Sequence, residues 1–458
     1  MQKVSERQDV DDSAKSLSKF PDVVLQHILS FLPTKDAIRT SVLSKRWEYL
    51  WTSIPNLEFN DHKANRATFM DFVDRGIALR KTDIKDFSLT CDVLGDESRI
   101  RRWVSAAVRY DVQTFCTDLS KCKESFELPQ CLFNCASLRE LHLSVSCTLK
   151  LPPSVCFSTL KILSLHSITF PDDHFTQKLF SGCPMLEDLW LHECNWVNVK
   201  IVSIYAPRLL KLSISEMEID NHTWNESNGC QIMIFGNCLK YFYYIGELFN
   251  EYCFYNESSL DDVWIQMYYT DQRSRVVAYR LFKLLSGLRD FKELAISKDA
   301  VEVLNHAAEL LAHMPLFNNL SILFLDWGQV NLGSKALLKI LQNSPHLNSL
   351  VLVEGISFPS DSERILEPLP SCFLSHLKKI EVYEFEGTEK AYMDVAAILL
   401  KRTAALEKLV LSCPKSSTWT LEEKENVRNE LLELPRALEV CTIQMSFFMF
   451  SITVSKYV

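Results

Sequence analysis

The sequence predicts an α/β chain in which a short segment of three helices precedes a solenoid of repeated strand-and-helix units that ends in a capping region. Three observations support this prediction. Three short apolar segments follow one another between Phe20 and Trp51. One apolar pattern recurs from Ile84 to Leu406. After residue 366 the apolar spacing indicates a strand, a helix and another strand.

The composition is that of a large globular chain. With 458 residues there is room for two or more domains, and the 47% of apolar residues can form a large core. The net charge of −9 and the lack of a basic stripe argue against nucleic-acid binding. No apolar signal segment opens the sequence, and the run from Val440 to Val454 is shorter than the roughly 20 residues that span a bilayer. We therefore expect a cytoplasmic or nuclear protein without membrane partners, with reduced cysteines and with that run as a closing strand.

The amino-terminal segment predicts three helices. Pro21 suits a first turn because the N–H that it lacks would have no partner there. Pro33 ends the first helix, Thr34 is expected to cap the second, and Ser44 is expected to cap the third. So short a segment cannot bury a stable core alone, so we expect it to complete its fold against a partner. The apolar residues of the first and third helices are Val24, Leu25, Ile28, Leu29, Leu32, Trp47, Leu50 and Trp51.

Past residue 80 a six-residue pattern recurs, with apolar residues at its first, fourth and sixth positions. From Leu138 onward the copies start 21 to 31 residues apart, which suits leucine-rich repeats with their period of roughly 20–29 residues. The alternation within each copy predicts a short strand with two inward side chains. The copies start at Ile84, Leu138, Leu160, Leu186, Leu209, Leu239, Leu260, Phe291, Leu320, Leu347, Leu377 and Leu406.

Such units stack because none of them can bury its apolar side alone. We therefore expect a leucine-rich-repeat solenoid (a horseshoe) with strands on the concave surface and helices, such as residues 335–341, on the convex one. The copies at Leu239 and Leu260 are poor and rich in Tyr and Phe, so the segment from Tyr241 to Tyr269 is expected to bulge or to carry an insertion. Its aromatic residues are expected to pack in the core, and an interaction patch is the alternative.

The amino-terminal segment resembles the F-box in the form seen in plant proteins. The resemblance lies in Pro21-Asp22, in residues 28–34 (ILSFLPT) and in residues 40–47 (TSVLSKRW), with Phe20 where the family usually has Leu. It implies docking onto a Skp-type adaptor and, through the adaptor, onto a cullin–RING ubiquitin ligase. An ordinary three-helix cap packed on the repeats is the alternative. The implied adaptor contacts are Pro21, Leu25, Ile28, Leu29, Leu32, Pro33, Leu43, Ser44 and Trp47.

The carboxy-terminal region resembles the FBD region that follows the repeats in many plant F-box proteins. The matching residues are 372–374, 377–380, 385–387, 398–401 and 406–409, with 434–436 and Cys441 further on, although the Trp often found just before this region is missing. We expect a strand, a helix from about Glu389 to Thr403 and another strand, which together cap the last apolar face. The predicted organisation is a disordered polar tail at 1–14, the F-box at 15–60, repeats at 61–365, the FBD region and terminal strands at 366–447, and a tail at 448–458.

No pattern points to a catalytic residue, a cofactor or a metal. Residues 328–335 (GQVNLGSK) come near a phosphate loop, but the Lys–Ser order is reversed, which favours a plain strand-to-helix turn. A zinc site is not expected, since the densest cluster lacks a C-x-x-C pair. Cys194, at the Asn/Cys position of its repeat, is expected to be a buried structural thiol. That densest cluster consists of Cys131, Cys135, His142 and Cys147.

Four arginines surround Trp103 in a predicted helix. They form either a solvated face or a site for an anion or acidic peptide at the rim of the solenoid. These residues are Arg99, Arg101, Arg102 and Arg109.

The resemblance to F-box proteins implies a non-catalytic substrate receptor. The F-box would hold the adaptor, and the repeats would hold a client protein near the ubiquitin-loaded conjugating enzyme. The chain would then act by bringing the two together and would need no catalytic residue of its own. The alternative is a leucine-rich-repeat scaffold or a small-molecule sensor that acts independently of the ligase. The sequence does not single out client-binding residues.

Overall fold

The computed structural model describes residues 19–61, 65–122, 125–196, 198–216, 229–255, 260–268, 274–288, 290–357, 366–386, 390–414 and 419–446. The tails predicted at 1–14 and 448–458 lie outside these ranges. The chain divides into two compact units, residues 1–209 and 210–458. No helix among the described residues is long and apolar enough to cross a bilayer.

The first unit is built on a parallel sheet. Strands β1, β2, β3, β5, β7 and β8 pair in this order, and the short strands β4 and β6 pair separately. The strands are β1 (Asn56–Asn60), β2 (Asp86–Asp92), β3 (Thr114–Ser120), β4 (Ser125–Glu127), β5 (Glu140–Val145), β6 (Thr148–Lys150), β7 (Ile162–His166), β8 (Asp188–His192) and β9 (Ile201–Tyr205). The helices are Asp22–Leu29, Thr34–Arg39, Arg66–Ala78, Glu97–Arg109, Gln130–Phe133 and Asp173–Ser181, with 3₁₀ turns at Thr40–Val42 and Trp47–Ser53.

The second unit is also built on a parallel sheet. Its order is β10, β12, β14, β15, β16, β18, β20, β21 and β22, and two short pairs, β11 with β13 and β17 with β19, lie outside it. The strands are β10 (Lys211–Ser215), β11 (Gln231–Phe235), β12 (Tyr241–Gly246), β13 (Glu251–Phe254), β14 (Leu260–Met267), β15 (Phe291–Ser297), β16 (Ile322–Asp326), β17 (Val330–Asn331), β18 (Ser349–Leu352), β19 (Ile356–Ser357), β20 (Lys379–Val382), β21 (Lys408–Ser412) and β22 (Thr442–Ser446). The helices are Ser274–Gly287, Lys298–Leu304, Ala308–Leu311, Lys335–Gln342, Ser371–Ser375, Lys390–Arg402 and Leu421–Glu433, with a 3₁₀ turn at Asn305–Ala307.

Each copy of the six-residue pattern coincides with a strand, including the poor copies at Leu239 and Leu260, whereas β1 and β3 join the sheet without a copy. In register, Leu141 lies opposite Leu163, which lies opposite Leu189, so equivalent apolar residues stack from strand to strand. These side chains are fully buried, as are Leu239 and Leu260. The repeated burial of equivalent positions is what a stacked repeat requires.

Two expectations about the connecting segments need correction. Helices do not join all the strands, because β11 and β13 are short strands between those of the main sheet; in β11, the buried Ile232 and Ile234 alternate with half-buried residues. The third amino-terminal helix is not confirmed: a 3₁₀ turn, Trp47–Ser53, stands there and Arg46, not Ser44, precedes it. Pro55 holds Ile54 in an extended conformation, which leads the chain directly into β1.

The carboxy-terminal elements lie close to their expected positions. The helix expected from about Glu389 to Thr403 spans Lys390–Arg402, and residues 387–389 lie outside the described ranges. β20 and β21 flank this helix in the sequence. Of the closing strand expected at Val440–Val454, the structure describes β22, and residues 447–454 lie outside it.

Candidate functional site

The amino-terminal segment has a small core of its own. Leu29, for example, is only 1% exposed. In so short a segment the few buried residues must supply most of the stabilising contacts. The two proline residues precede the helices and offer their carbonyl oxygens to the first turns, since Val24 N donates to Pro21 O and Asp36 N donates to Pro33 O. The core residues are Leu25, Leu29, Ala37, Trp47, Leu50, Trp51 and Ile54.

Polar contacts fix the helices of this segment to each other and to β1. The Arg46 guanidinium donates to Asp22 Oδ1 at 2.8 Å and to Phe20 O at 2.6 Å, which joins the last turn to the start of the first helix. Thr34, predicted as a cap, instead lies inside its helix, and its hydroxyl accepts from Glu58 N at 2.7 Å. The segment is therefore held in place independently of its exposed side.

The segment exposes many large apolar side chains. Val42 is 88% exposed and Phe31 is 75% exposed, which is unusual for residues of this size in a folded chain. Nine such residues lie within the thirty residues from Phe20 to Tyr49, against twelve spread over the rest of the described chain. Exposed apolar residues are typical of interaction sites when they form one patch. We call the nine residues the apolar face: Phe20, Val23, Val24, Ile28, Phe31, Leu32, Val42, Leu43 and Tyr49.

The structure divides the nine residues predicted to contact an adaptor into two groups. Leu25, Leu29 and Trp47 are buried in the core of the segment. The exposed group consists of Pro21, Ile28, Leu32, Pro33, Leu43 and Ser44. Val23, Phe31 and Val42 are also exposed but are not among the implied adaptor contacts, although consecutive apolar residues such as Val42 and Leu43 cannot all point into one small core.

The same segment also carries exposed charged groups, one of them next to Tyr49 of the apolar face. Asp36 and Arg39 form an exposed ion pair at 2.9 Å. Lys81 Nζ lies 5.3 Å from the centroid of the Tyr49 ring, and a hydrogen bond and the negative charge of Glu48 raise the pKa of the Tyr49 hydroxyl. Exposed apolar residues accompanied by charged ones are common in protein–protein interfaces.

Comparisons with known proteins agree with this geometry. An F-box domain model matches residues 17–59, and the family model described as At1g61320/AtMIF1, LRR domain, matches residues 74–442. The chain belongs to the plant F-box/FBD/leucine-rich-repeat family. Its relatives in Arabidopsis thaliana include F-box/FBD/LRR-repeat protein At5g56420, 30% identical over 93% of this chain and 98% of that protein. FBD-associated F-box protein At4g10400 is 29% identical over 94% of this chain and 99% of that protein.

In this F-box/FBD/leucine-rich-repeat protein, residues 328–335 form a strand-to-helix turn. The Ser334 hydroxyl accepts from Leu337 N at 3.3 Å and caps the Lys335–Gln342 helix. Asn305 Oδ1 accepts from Ala336 N, and Asn305 Nδ2 donates to Ser334 Oγ. The donors at this helix start are thus engaged within the chain, which fits a plain turn better than a phosphate site.

We expect Ser334→Ala to lower the free energy of unfolding by about 1 kcal/mol, because it removes the helix cap. Urea denaturation followed by circular dichroism measures this. Ser371→Ala is the control, since Pro370 and not a serine side chain precedes the Ser371–Ser375 helix. A rise in melting temperature on adding ATP would contradict the interpretation as a plain turn.

The cysteines considered for a metal site have other surroundings. Cys135 Sγ lies 3.2 Å from Ser137 Oγ, and Cys147 is buried beside Cys122, whose hydrogen bond lowers the pKa of the Cys147 thiol. Among the described residues, no group of three or more His, Cys, Asp or Glu side chains could hold a metal ion. Cys194 is a buried thiol as predicted: burial raises its pKa to about 12, and its Sγ donates to Leu165 O.

The arginine cluster is partly neutralised within the chain. Arg99 donates to Asp74 Oδ2 at 2.6 Å and to Asp71 Oδ1 at 3.2 Å. Arg101 lies 3.8 Å from Glu127, and the indole of Trp103 donates to Asp74 Oδ1. The Arg99 charge therefore serves to join two helices, Arg66–Ala78 and Glu97–Arg109, and the predicted anion site loses one of its cations.

Strands β5, β7 and β8 bring serine and histidine side chains together, a juxtaposition that the sequence did not reveal. Ser144 Oγ and Ser167 Oγ lie 3.4 Å and 3.0 Å from His166 Nδ1, and His166 Nε2 lies 3.4 Å from Glu193 Oε2. His166 and Glu193 are nearly half exposed, so water competes for these contacts. The group is a surface hydrogen-bond network: the Ser167–His166 contact of 3.0 Å lies within hydrogen-bond range, whereas the contacts of His166 with Ser144 and Glu193 are longer, at 3.4 Å each.

Proposed function

We propose that this protein is the substrate-recognition subunit of an SCF-type ubiquitin ligase. The F-box segment binds a Skp-type adaptor and, through it, a cullin–RING ligase, while the repeats bind a client protein for ubiquitylation. The observation that carries the proposal is the apolar face, whose nine exposed residues lie within a segment that matches the F-box family. The proposed place of action is the cytoplasm or the nucleus.

A receptor of this kind needs no catalytic group and no cofactor. Binding the client and the ligase at once raises the effective concentration of client lysines near the conjugating enzyme. The proposed client is a protein and not a nucleic acid or a membrane, which agrees with the net charge of −9. We propose that residues 366–447, which resemble the FBD region, close the second unit, since β20, β21 and β22 continue its parallel sheet.

We propose different roles for the two groups of predicted adaptor contacts. The exposed Ile28, Leu32 and Leu43, with Pro21, Pro33 and Ser44 beside them, touch the adaptor directly. Leu25, Leu29 and Trp47 support them from the core. Removing large apolar side chains from water at an interface contributes roughly 25 cal/mol for each Å² buried, so the most exposed residues have the most to gain.

A test is co-expression of the chain with a plant Skp-type adaptor, followed by affinity capture and size-exclusion chromatography. The wild-type chain is expected to form a stable complex. Leu32→Asp combined with Leu43→Asp is expected to weaken binding by about 100-fold or more, because burying unpaired charge at an interface costs several kcal/mol. Both side chains are exposed, 40% and 51%, so the variant should keep the melting temperature of the wild type.

The matched control is Leu316→Asp combined with Leu374→Asp, which changes two leucines of the second unit that are 58% and 57% exposed. Capture of the adaptor should be unchanged by this variant. If the wild-type chain captures no adaptor, or if the Leu32/Leu43 variant captures it as well as the wild type, the ligase proposal is wrong. A folded chain without adaptor binding would instead favour the independent scaffold or sensor.

A further inference from the structure

Two free cysteines of the first unit lie next to each other where its longer strands give way to the short pair β4 and β6. Cys122 stands two residues after the end of β3, and Cys147 stands two residues after the end of β5. The strand register brackets them, because β3 pairs with β5 before them and β4 pairs with β6 after them. Neighbouring strands lie about 4.8 Å apart, which is within the range of backbone separations that a disulfide bridges.

Tight turns hold both residues in place. Lys121 has φ 49, a left-handed conformation that turns the chain directly before Cys122. Cys147 N donates to Val145 O at 2.8 Å, which closes a three-residue turn after β5. Both turns are made by the backbone, so the two cysteines are positioned before any bond joins them. The nearest backbone acceptor of Cys122 Sγ is distant, since Leu119 O lies 3.6 Å away.

The two sulfur atoms contact each other. The Cys122 thiol donates a hydrogen bond to the Cys147 sulfur, and this bond lowers the pKa of Cys147 despite its burial. The backbone N–H of Phe126 in β4 lowers the same pKa further by donating to that sulfur. By contrast, burial raises the pKa of Cys91 and of Cys194 to about 12. The thiolate is the form of cysteine that reacts with oxidants, so the surroundings of Cys147 favour oxidation and those of the other two oppose it.

The pair lies within reach of small molecules. Cys122 is half-buried, and Cys147 is 7% exposed. Cys91 of the neighbouring strand β2 is 2% exposed and lies opposite Leu119 in register. A small oxidant therefore has access to the Cys122 and Cys147 sulfurs, whereas Cys91 is enclosed in the core.

We propose that Cys122 and Cys147 are a redox-sensitive pair that hydrogen peroxide converts into a disulfide. The Cys147 thiolate attacks one oxygen of the peroxide, so that an S–O bond forms, the O–O bond breaks and hydroxide leaves. Cys122 then attacks the resulting sulfenic sulfur, so that the S–S bond forms and the S–O bond breaks. The two thiol protons end in two water molecules, both sulfurs are oxidised, and the peroxide is reduced. A dithiol reductant reverses the reaction by thiol–disulfide exchange.

The disulfide would close a loop from residue 122 to residue 147, which contains β4, the Gln130–Phe133 helix and β5. Such a crosslink restricts the unfolded chain and leaves the folded chain nearly unchanged when the two sulfurs already meet. We therefore expect oxidation to raise the melting temperature by about 5 °C or more. This inference concerns the repeats alone and does not depend on the proposed function.

The test uses the full chain, purified under reducing conditions and then treated with an equimolar amount of hydrogen peroxide. The remaining thiols are blocked with N-ethylmaleimide, and mass spectrometry of the digested protein identifies the linked cysteines. We expect a Cys122–Cys147 linkage, and we expect dithiothreitol to remove both the linkage and the rise in melting temperature. These measurements on the wild-type chain keep the inference testable if a variant fails to fold.

Two variants assign the roles of the cysteines. Cys122→Ser removes the second thiol, so peroxide should leave a sulfenic acid on Cys147, which dimedone traps, and should not raise the melting temperature. The matched control, Cys131→Ser with Cys156→Ser, removes two exposed cysteines and should keep both the linkage and the rise. The inference is overturned if no linkage forms, if peroxide links other cysteines instead, or if Cys122→Ser gains the same stability on oxidation.

Discussion

Glu216→Ala is expected to lower the free energy of unfolding of the second unit by about 3–5 kcal/mol, because it leaves several buried donors without an acceptor. The Glu216 carboxylate is buried after β10. Its oxygens accept from the Tyr244 hydroxyl at 2.5 Å, the Tyr252 hydroxyl at 2.7 Å and Phe249 N at 2.8 Å. Asn250 donates to it from both its backbone N and its side-chain amide.

The carboxylate matters because it holds a buried irregular segment, residues 247–250. The backbone N–H groups of Phe249 and Asn250 donate to Glu216, and Leu248 N donates to the Tyr244 hydroxyl at 2.6 Å. On the other side, the Arg280 guanidinium donates to Leu248 O at 2.9 Å and to Phe249 O at 2.6 Å. A buried loop must satisfy its backbone polar groups in this way, so removal of Glu216 affects the whole segment.

Urea denaturation of Glu216→Ala, compared with the wild type, measures the loss. Glu354→Ala, which removes an exposed carboxylate, is the control and should change stability by no more than about 0.5 kcal/mol. Glu216→Gln should fall between them, because its amide keeps one acceptor oxygen but turns an NH₂ group towards donors. A wild-type free energy of unfolding in Glu216→Ala would show that the network does not hold the loop.

The same network predicts a loss of stability in alkali. Burial, followed by the charge of Glu216, raises the pKa of Tyr244 and Tyr252 well above the ordinary value of 10.0. Above pH 10 the unfolded chain therefore releases these protons while the folded chain retains them, so stability falls as pH rises from there. Tyr244→Phe should reduce this slope between pH 10 and 11, measured by thermal unfolding, and an unchanged slope would contradict the assignment to Tyr244.

The strands that carry the six-residue pattern were predictable because each of them is specified locally, unlike β1, β3, β11 and β13, which carry no copy of it. The spacing of Leu186, Leu189 and Leu191, for example, is enough to predict β8, since burial of alternate residues leaves one pattern for a strand in a stacked repeat. The helix Lys390–Arg402 was predictable for the same reason, because its apolar residues recur at the spacing of three to four residues that is typical of a helix. The spacing of apolar residues predicts the position of a strand even where those residues are aromatic rather than leucine, as in β12 and β14.

The residues between the strands were harder to predict, because their partners are distant in sequence. Glu216 and Tyr252 are 36 residues apart, and no local pattern connects them. The aromatic segment from Tyr241 divides between the two expected outcomes: Phe242, Tyr244 and Tyr252 pack in the core, whereas Tyr241 and Tyr243 lie on the outward side of β12. Only the register across strands shows that Trp264 and Phe324 join them.

For the F-box segment, the family motif predicts which residues matter but not how they act. The motif includes both Leu29, which is 1% exposed, and Leu32, which lies three residues later and is 40% exposed. A helical pattern marks apolar positions, and it does not distinguish a position that faces the segment's own core from one that faces a partner. The two leucines should therefore respond very differently to the same substitution.

Leu29→Asp is expected to unfold the amino-terminal segment, since a carboxylate without a partner in this core costs several kcal/mol and the segment has few other contacts to compensate. Hydrogen exchange should show lost protection across residues 22–54, while strands β3 to β8 keep theirs. Trp47→Ala should destabilise the same residues by about 3–5 kcal/mol through the cavity that it leaves. Both variants would also fail to capture the adaptor, for a structural reason.

Leu32→Asp is the matched variant, because it introduces the same charge three residues away on the exposed side. It should keep the exchange protection of residues 22–54 and still weaken adaptor capture. If Leu32→Asp also loses protection, Leu32 supports the fold and the apolar face is smaller than its exposure indicates. If Leu29→Asp keeps both protection and capture, the core at Leu25, Trp47 and Ile54 does not hold the segment together, and the partner must do so.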